Sequence, residues 1–469
     1  MPHFKTAQLK LPNLPLKVAH PLGEFCFERI FTSMQNPYFA LLQVCFTPKD
    51  SKEKIKNFFL EIKTRLKLSK KIQETIVHCD KNSRISPIEI IKCALKILMD
   101  FQDSILTHNL QGKSTALEHK LPFIKQIEDF LDFENLLKTQ KLKLRTSANI
   151  HSCNDSKDSA QDSDIFSQIW LEIGFGSGRH LLHNAKHHPE ILHIGLEIHH
   201  PSLEQVARQI GLLGLNNILI LAYDARIFLE ILPSNILDKI FVHFPVPWDK
   251  QPHRRILSKA FLSQSARVLK QKGHLQLRTD SLEYFNYAQS LAKNFTTEFC
   301  TQSQVNTDEA ITSKYEARWL RQKKDIYNLE FFALHSSPPR KLKFDFDFLD
   351  SDLKPLMFSL KNYQKTKIVK NDYFLHLEDL LFNTSHFCAS DDSIKFRTKH
   401  SMDTNFQESS LQSPCLLKLS FGDFNYPQTR YVLQTNHIEY FKENPLPTYL
   451  NHQAHKQLLQ LIQNDFNPN

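Results

Sequence analysis

The sequence predicts an α/β fold, a parallel sheet with helices on both faces, carried by residues 165–335 and flanked by mixed α+β regions. Three observations predict it. Short apolar runs alternate with stretches of helical periodicity from Ile165 to about His335. Gly174, Gly176 and Gly178 take alternate positions directly after the first run. Acids stand at the ends of the first three runs, at Glu172, Glu197 and Asp224.

In chain order, residues 1–146 read as an N-terminal α+β extension. Met1 to Glu24 is broken by Pro2, Pro12, Pro15 and Pro21 and lacks the apolar core of a signal peptide. Tyr38 to Phe46 reads as a strand. Lys49 to Lys71, dense in lysine around Phe58, Phe59 and Leu60, reads as a solvated amphipathic helix. Ser86-Pro87-Ile88-Glu89 has the cap-then-proline start of a helix and opens an apolar-periodic run to Leu106. Residues 147–164, rich in Ser, Asp and Asn, read as a polar linker.

Leu171 to Gly178 opens the central segment. Alternate glycines let the backbone turn sharply from strand to helix with no side chain in the way of a bound nucleoside. Seven of the ten glycines lie between Gly174 and Gly273, which concentrates close backbone approach in this segment. Leu192 to Leu196 is a second strand ending at Glu197, and Ile218 to Ala222 a third, followed by Asp224. An acid about 20 residues past a glycine turn, at the next strand end, is placed to accept from both ribose hydroxyls. The plainer role for Glu197 and Asp224 is helix capping. Leu203, Val206, Ala207 and Ile210 form one helix face, as do Tyr284, Tyr287, Ala288 and Leu291. Ile236 to Phe244 and Gly273 to Thr279 read as further strands. Right-handed crossovers between such units give a parallel sheet.

Ser336-Ser337-Pro338-Pro339 ends the segment, and residues 336–469 read as a C-terminal mixed extension. Residues near Thr384 to Ser413 are polar and read as loose. Leu416 to Leu433 alternates around Gly422 and Pro427, as in a hairpin. No internal repeat is evident.

A length of 469 residues accommodates two or three domains, and 41% hydrophobic residues suffice for packed cores. A net charge of +9 favours an acidic partner such as nucleic acid. No apolar stretch approaches the roughly 18 residues needed to span a bilayer, so no membrane association is expected. Eight scattered cysteines without a CxxC pair read as reduced thiols of a cytoplasmic protein. His183 and His187 have a metal-ligand spacing, but no cysteine or acid completes a site. With His180, His188, His193, His199 and His200 they read as a histidine-rich surface, and no metal is expected.

The segment after the fourth strand, Phe244-Pro245-Val246-Pro247-Trp248-Asp249-Lys250, followed by Arg254 and Arg255, points to the second reactant. Its prolines fix the backbone on the same edge as the nucleoside site. Trp248 offers a face for a base to stack on, worth ~1–3 kcal/mol in single-stranded nucleic acid complexes. Lys250, Arg254 and Arg255 suit phosphate.

Arg278-Thr279-Asp280, Ser313-Lys314-Tyr315-Glu316 and Tyr327 to Phe331 complete a series. With the glycine turn and the Phe244–Lys250 segment it resembles the TrmB family of tRNA (guanine-N7)-methyltransferases, over about Ile169 to Phe331. The resemblance implies a class I, Rossmann-like fold using S-adenosylmethionine, with tRNA as substrate and guanine of the variable loop as acceptor. It places Glu172, Gly174, Gly176, Gly178, Glu197 and Asp224 at the cofactor. It places Trp248, Lys250, Arg254, Arg255, Asp280, Ser313, Lys314, Tyr315 and Glu316 at the target nucleotide.

This chain departs from the family pattern where Val246 replaces the usual catalytic Asp, where Ser313 replaces Thr, and in a stretch from Trp248 to Arg254 about two residues short. Guanine N7 carries no proton, so its attack on a sulfonium methyl requires no general base, and positioning can supply much of the acceleration. An acid there holds the guanine edge sooner than it removes a proton. Activity is therefore expected to survive, with Asp280 or Glu316 taking over that role and Asp280 as the catalytic candidate. A non-catalytic RNA-binding protein on the same frame, and a methyltransferase for a small molecule or protein, are the competing expectations.

Overall fold

Seven strands build the sheet to which the glycine turn belongs. They are β1 (Gln168–Ile173), β2 (Ile191–Leu196), β3 (Ile218–Leu221), β4 (Leu237–His243), β5 (Leu269–Thr279), β6 (Phe299–Val305) and β7 (Tyr327–Ala333). Helices α1 (Arg179–His187), α2 (His200–Leu213), α3 (Ala225–Ile231), α4 (Lys259–Val268) and α5 (Leu282–Ala292) connect the first six. The computed structural model describes residues 1–50, 54–67, 72–85, 87–111, 123–139, 143–144, 165–307, 311, 321–322, 324–340, 344–348, 365–384, 414–424 and 426–464. These form two units, one of residues 117–343 and one of residues 1–116 with 344–469.

The strand order is β3-β2-β1-β4-β5-β7-β6. β1 to β5 are mutually parallel, as their apolar runs predict, and every residue of β2 is buried. β7 departs from the expected all-parallel sheet, running antiparallel to both β5 and β6. Val305 of β6 lies opposite Tyr327 of β7, and an antiparallel return of this kind needs no crossover helix. The α2 face behaves as its spacing predicts, with Leu203, Val206, Ala207 and Ile210 all buried. Residues ahead of β1 also join this unit. Ile124 bridges Ile220 in parallel, and the Phe130 ring meets Phe228 at 4.9 Å.

The other unit is built on a twelve-stranded sheet in which two antiparallel meanders meet edge to edge. One comprises Gly23–Ser33, Phe39–Pro48, Lys56–Lys67 and Ile72–Cys79, followed by the helix Ile88–Met99. The other comprises Tyr373–Thr384, Cys415–Asp423, Gln428–Gln434 and Ile438–Tyr440, followed by the helix Tyr449–Gln463. Their leading strands pair antiparallel about Thr32 and Phe382, so Ile30 faces Thr384 and Ser33 faces Leu381.

Equivalent positions do equivalent work. Phe25, Phe27, Ile30, Leu42, Val44 and Phe46 pack in the core of the first helix. Leu375, Leu377, Leu380, Leu417, Leu419 and Phe421 pack in that of the second. Phe31, Leu41 and Phe59 meet their counterparts Leu381, Leu416 and Tyr431 in a shared core on the other face. The backbone repeats as well, with Asp80 N donating to Phe59 O at 2.9 Å and Phe441 N to Tyr431 O at 2.8 Å. Both leading strands carry a register irregularity at the matching place, between Phe27 and Ile30 and between Leu377 and Asp379. The chain therefore does contain an internal repeat, contrary to the sequence reading. It is a repeat of pattern, since the paired positions share apolar character more than residue type.

Two other expectations are corrected or fall away here. The lysine-dense stretch is the strand Lys56–Lys67, not a helix. Phe58 and Leu60 face one core and Phe59 the other, a period of two that the lysines conceal. The linker 147–164 and most of the Thr384 to Ser413 stretch lie outside the described residues. No helix among the described residues is long and apolar enough to cross a membrane.

Candidate active site

The direction of the strand order reverses at β1, flanked by β2 and β4, and in such a sheet the ligand crevice opens at the carboxyl ends of these strands. Register brings the ends level: Ile173 pairs with Leu196 on one side and Val242 on the other. Gly174 N then donates to Leu196 O at 2.8 Å, and Phe244 N to Arg278 O at 2.7 Å. Glu172, Glu197, Asp224, the Phe244–Lys250 segment and Asp280 therefore all issue from one edge.

The three glycines of the turn answer to different demands. All have positive φ, at 69°, 51° and 72°. A Cβ on Gly174 would meet nothing within 4 Å and one on Gly176 only Gly174 O at 4.0 Å, so these two leave open room over the crevice. A Cβ on Gly178 would lie 2.4 Å from Val206 Cγ2, so this glycine lets the turn pack on α2.

Glu197 ties the crevice together. Its Oε2 accepts the Gly176 amide and its Oε1 the His199 amide, both at 2.9 Å. Each oxygen keeps a second lone pair for a further donor. Asp224 caps α3, accepting Arg226 N at 2.9 Å and Arg226 Nε and Nη2 at 3.0 Å. Among the described residues its Oδ2 accepts one bond and Oδ1 two. Glu172 is buried, and its Oε2 lies 2.8 Å from Nδ1 of His180 on α1. His180 Nε2 takes the Asn184 amide at 3.0 Å, an arrangement suited to a neutral ring donating from Nδ1 to the carboxylate. The His180 ring also packs on His243, at 4.5 Å, and Phe241, at 4.8 Å. Burial holds the His243 imidazole well below its ordinary range, and its Nε2 bonds Gln276 Oε1 at 2.8 Å.

The expected histidine-rich surface is corrected at two of its seven positions. His180 and His193 are buried, and burial holds the latter down at about 3. Both were hidden from the sequence because an uncharged imidazole packs as an aromatic ring. His183 and His187 do lie ring to ring, 4.0 Å apart, and no metal-holding group of three such side chains occurs among the described residues.

Beyond β4, two non-glycine residues take left-handed backbone angles, Phe244 at φ 49° and Trp248 at φ 48°. Such angles cost about 1 kcal/mol or more each and persist where the surroundings enforce them. Arg255 is the enforcer. It is 3% exposed, and its Nε donates to Pro247 O at 2.7 Å. Nη2 reaches Asp249 Oδ1 at 3.3 Å and Glu283 Oε1 at 2.9 Å, while the guanidinium packs on Tyr284 and Tyr287. This corrects the expectation that Arg255 contacts phosphate, because its donors are turned inward onto the turn. Arg254 stays outside, its guanidinium 5.0 Å from the Trp248 ring centroid. Val246, Trp248, Lys250 and Arg254 are exposed.

After β5, Asp280 Oδ2 accepts Lys324 Nζ at 3.2 Å. Ser313, Lys314, Tyr315 and Glu316 lie outside the described residues. The sequence reading also missed Ile198, directly after Glu197 and 71% exposed, an apolar side chain at the crevice edge. A cavity of about 390 Å³ lined by Arg267, Phe295 and Arg340 lies elsewhere. There Arg267 and Arg340 bond main-chain carbonyls of Leu229, Leu232 and Glu230, so the cations serve the fold.

Residues 167–329 match a family model described as "Putative methyltransferase". A tRNA (guanine-N(7)-)-methyltransferase of Wolinella succinogenes is 36% identical over 462 residues, covering 98% of this chain and 99% of its own length. A protein of the same description from Helicobacter hepaticus is 34% identical over 471 residues, covering 98% and 99%. One from Helicobacter pylori is 34% identical over 469 residues, covering 98% of each.

Proposed function

The chain belongs to the tRNA (guanine-N7)-methyltransferase family, and from that membership we infer that it methylates N7 of guanine in tRNA, with the variable loop as the site. It is an S-adenosylmethionine-dependent enzyme of the Rossmann-like class. The reading is carried by one observation. A glycine turn bound by Glu197 and a turn presenting Trp248, Lys250 and Arg254 issue from one sheet edge, in a chain matched over 98% of its length by proteins of that description. We propose the cytoplasm, where tRNA matures, as its location.

The crevice residues fit the cofactor. Gly174 and Gly176 leave room over the turn that a Cβ would take, and Glu197 retains lone pairs for ribose hydroxyls. Ile198 offers an apolar surface beside it. Asp224 would serve from its less occupied Oδ2. Glu172, turned onto His180, would act by stiffening the β1 end. S-adenosylmethionine, when bound, supplies the electrophilic sulfonium methyl.

On the substrate side, Trp248 stacks on a base while Lys250 and Arg254 neutralise phosphate. Val246, where the TrmB pattern has Asp, removes no capacity the transfer requires. The N7 lone pair lies in the ring plane and no proton leaves the base, so the task of this edge is alignment. Asp280, a carboxylate at the β5 end, accepts from the guanine N–H edge.

Incubation of the full chain with labelled S-adenosylmethionine and tRNA, followed by nucleoside analysis, tests the reading. Label is expected in 7-methylguanosine from tRNA with a variable-loop guanine and absent when that guanine is replaced. Cofactor binding without any methyl transfer to tRNA would overturn it in favour of an RNA-binding protein.

A further inference from the structure

Arg278 is the penultimate residue of β5, two residues before Asp280, and is 0% exposed. Its main chain and side chain hold different segments. Its carbonyl accepts Phe244 N at 2.7 Å, the first amide of the turn that presents Val246 and Trp248. Its guanidinium points to the chain leaving β6, with Nη1 donating to Thr307 Oγ1 at 3.0 Å and Nη2 to Thr307 O at 3.2 Å. The residue before Thr307, Asn306, sits at φ 58° and closes the same corner. Its N donates to Ile326 O at 2.8 Å, its Oδ1 accepts Ile326 N at 2.9 Å, and its Nδ2 reaches Asp325 Oδ1 at 2.9 Å. Lys324, next along, bonds Asp280.

We infer that Arg278 is a positioning residue for methyl transfer: from beneath the site, it fixes the turn after β4 to the chain that leaves β6. Two parallel N–H bonds to one residue suit the rigid guanidinium fork, which lysine lacks. Because the group is buried, it acts on substrate through the segments it holds, those of Phe244 and Thr307 among them. A charged donor pair in a dry corner is also costly to leave half-made, so the corner resists loosening. The inference rests on the functional reading above, whose nucleotide-side edge it concerns.

The test uses the full-length chain with Arg278→Met, Thr307→Val and Thr307→Ser. Amide hydrogen exchange in the free protein reads the coupling itself. Exchange at Phe244 and at Asn306, whose amide donates to Ile326 O, is expected to rise at least fivefold together in Arg278→Met, and the Asn306 amide alone in Thr307→Val. In transfer assays Arg278→Met is expected to raise KM for tRNA at least fivefold, with S-adenosylmethionine affinity within twofold of the unaltered chain. Thr307→Val should shift KM the same way by a smaller factor, and Thr307→Ser, which keeps the acceptor, should recover the loss. Unchanged exchange at both amides, or cofactor affinity falling as far as tRNA affinity, overturns the inference. If the unaltered chain makes no 7-methylguanosine, the functional reading fails instead, while the exchange result still decides the coupling.

Discussion

Glu197 Oε2 accepts the Gly176 amide at 2.9 Å, so a carboxylate at the end of β2 holds the turn that follows β1. The bond spans the two strands between which a nucleoside would lie. Glu197→Ala removes both this support and the proposed ribose acceptor. It is expected to weaken S-adenosylmethionine binding at least tenfold, ~1.4 kcal/mol by calorimetry. Glu197→Gln, which keeps a neutral acceptor, should fall between. Equal affinity for all three would remove Glu197 from the cofactor site.

Val246 is 61% exposed at the position where the family pattern has Asp. Since no proton is abstracted, Val246→Asp is expected to change kcat/KM by less than tenfold, under ~1.4 kcal/mol in the barrier. A larger gain in steady-state assays would mean that alignment alone does not account for the rate.

Arg254 and Arg255 are neighbours with opposite duties. Arg255→Met is expected to cost about 2 kcal/mol of stability, because a buried cation holding a strained turn is lost. Arg254→Ala should leave the melting temperature nearly unchanged but lower the salt-dependence slope of tRNA binding by about one. Thermal melts and a salt titration of both variants separate the roles. The reverse pattern would return Arg255 to the RNA interface.

Gly178 and Gly211 make a second contrasting pair. Gly178→Ala puts a Cβ 2.4 Å from Val206 at φ 72° and is expected to destabilise by about 2 kcal/mol. Gly211 lies within α2 with open space around it, so Gly211→Ala should stabilise by about 0.5–1 kcal/mol. Denaturant midpoints test both signs.

Burial holds His193 down at about 3 and His274 and His455 at about 4, against an ordinary 6.5. The folded values are depressed, so the unfolded chain takes up protons first as pH falls. The stability these rings contribute is present above pH 6.5 and is lost as pH drops towards 4. Melting is expected at lower temperature at pH 5 than at pH 7.5, and His274→Phe should shrink the difference. Proton release on unfolding at pH 5 would contradict the assignment.

The central sheet was legible because buried parallel strands are apolar runs and the crevice acids follow them directly. Leu203 to Ile210 likewise showed its buried face through spacing alone. What failed were distinctions settled by distant partners. Nothing local tells Arg255 from Arg254, since Tyr284, Tyr287 and Glu283 come about thirty residues later. His180 looked like surface because its partner, Glu172, lies across a turn. The repeat escaped because Phe31 with Leu381, and Phe59 with Tyr431, share a side of the sheet but not an identity.

The pairing of Thr32 with Phe382 has a consequence for synthesis. The first meander emerges from the ribosome with its leading strand covered by Leu16–His20 over Gly23–Phe27 but open at Ile30–Ser33. The mate of that end is made roughly 350 residues later, about 20–70 s at usual translation rates. Through that interval the Ile30–Ser33 end keeps a short run of unpaired amides and carbonyls able to recruit a passing strand. The whole catalytic unit is translated meanwhile, so the enzyme's first folded part is also the last to be completed.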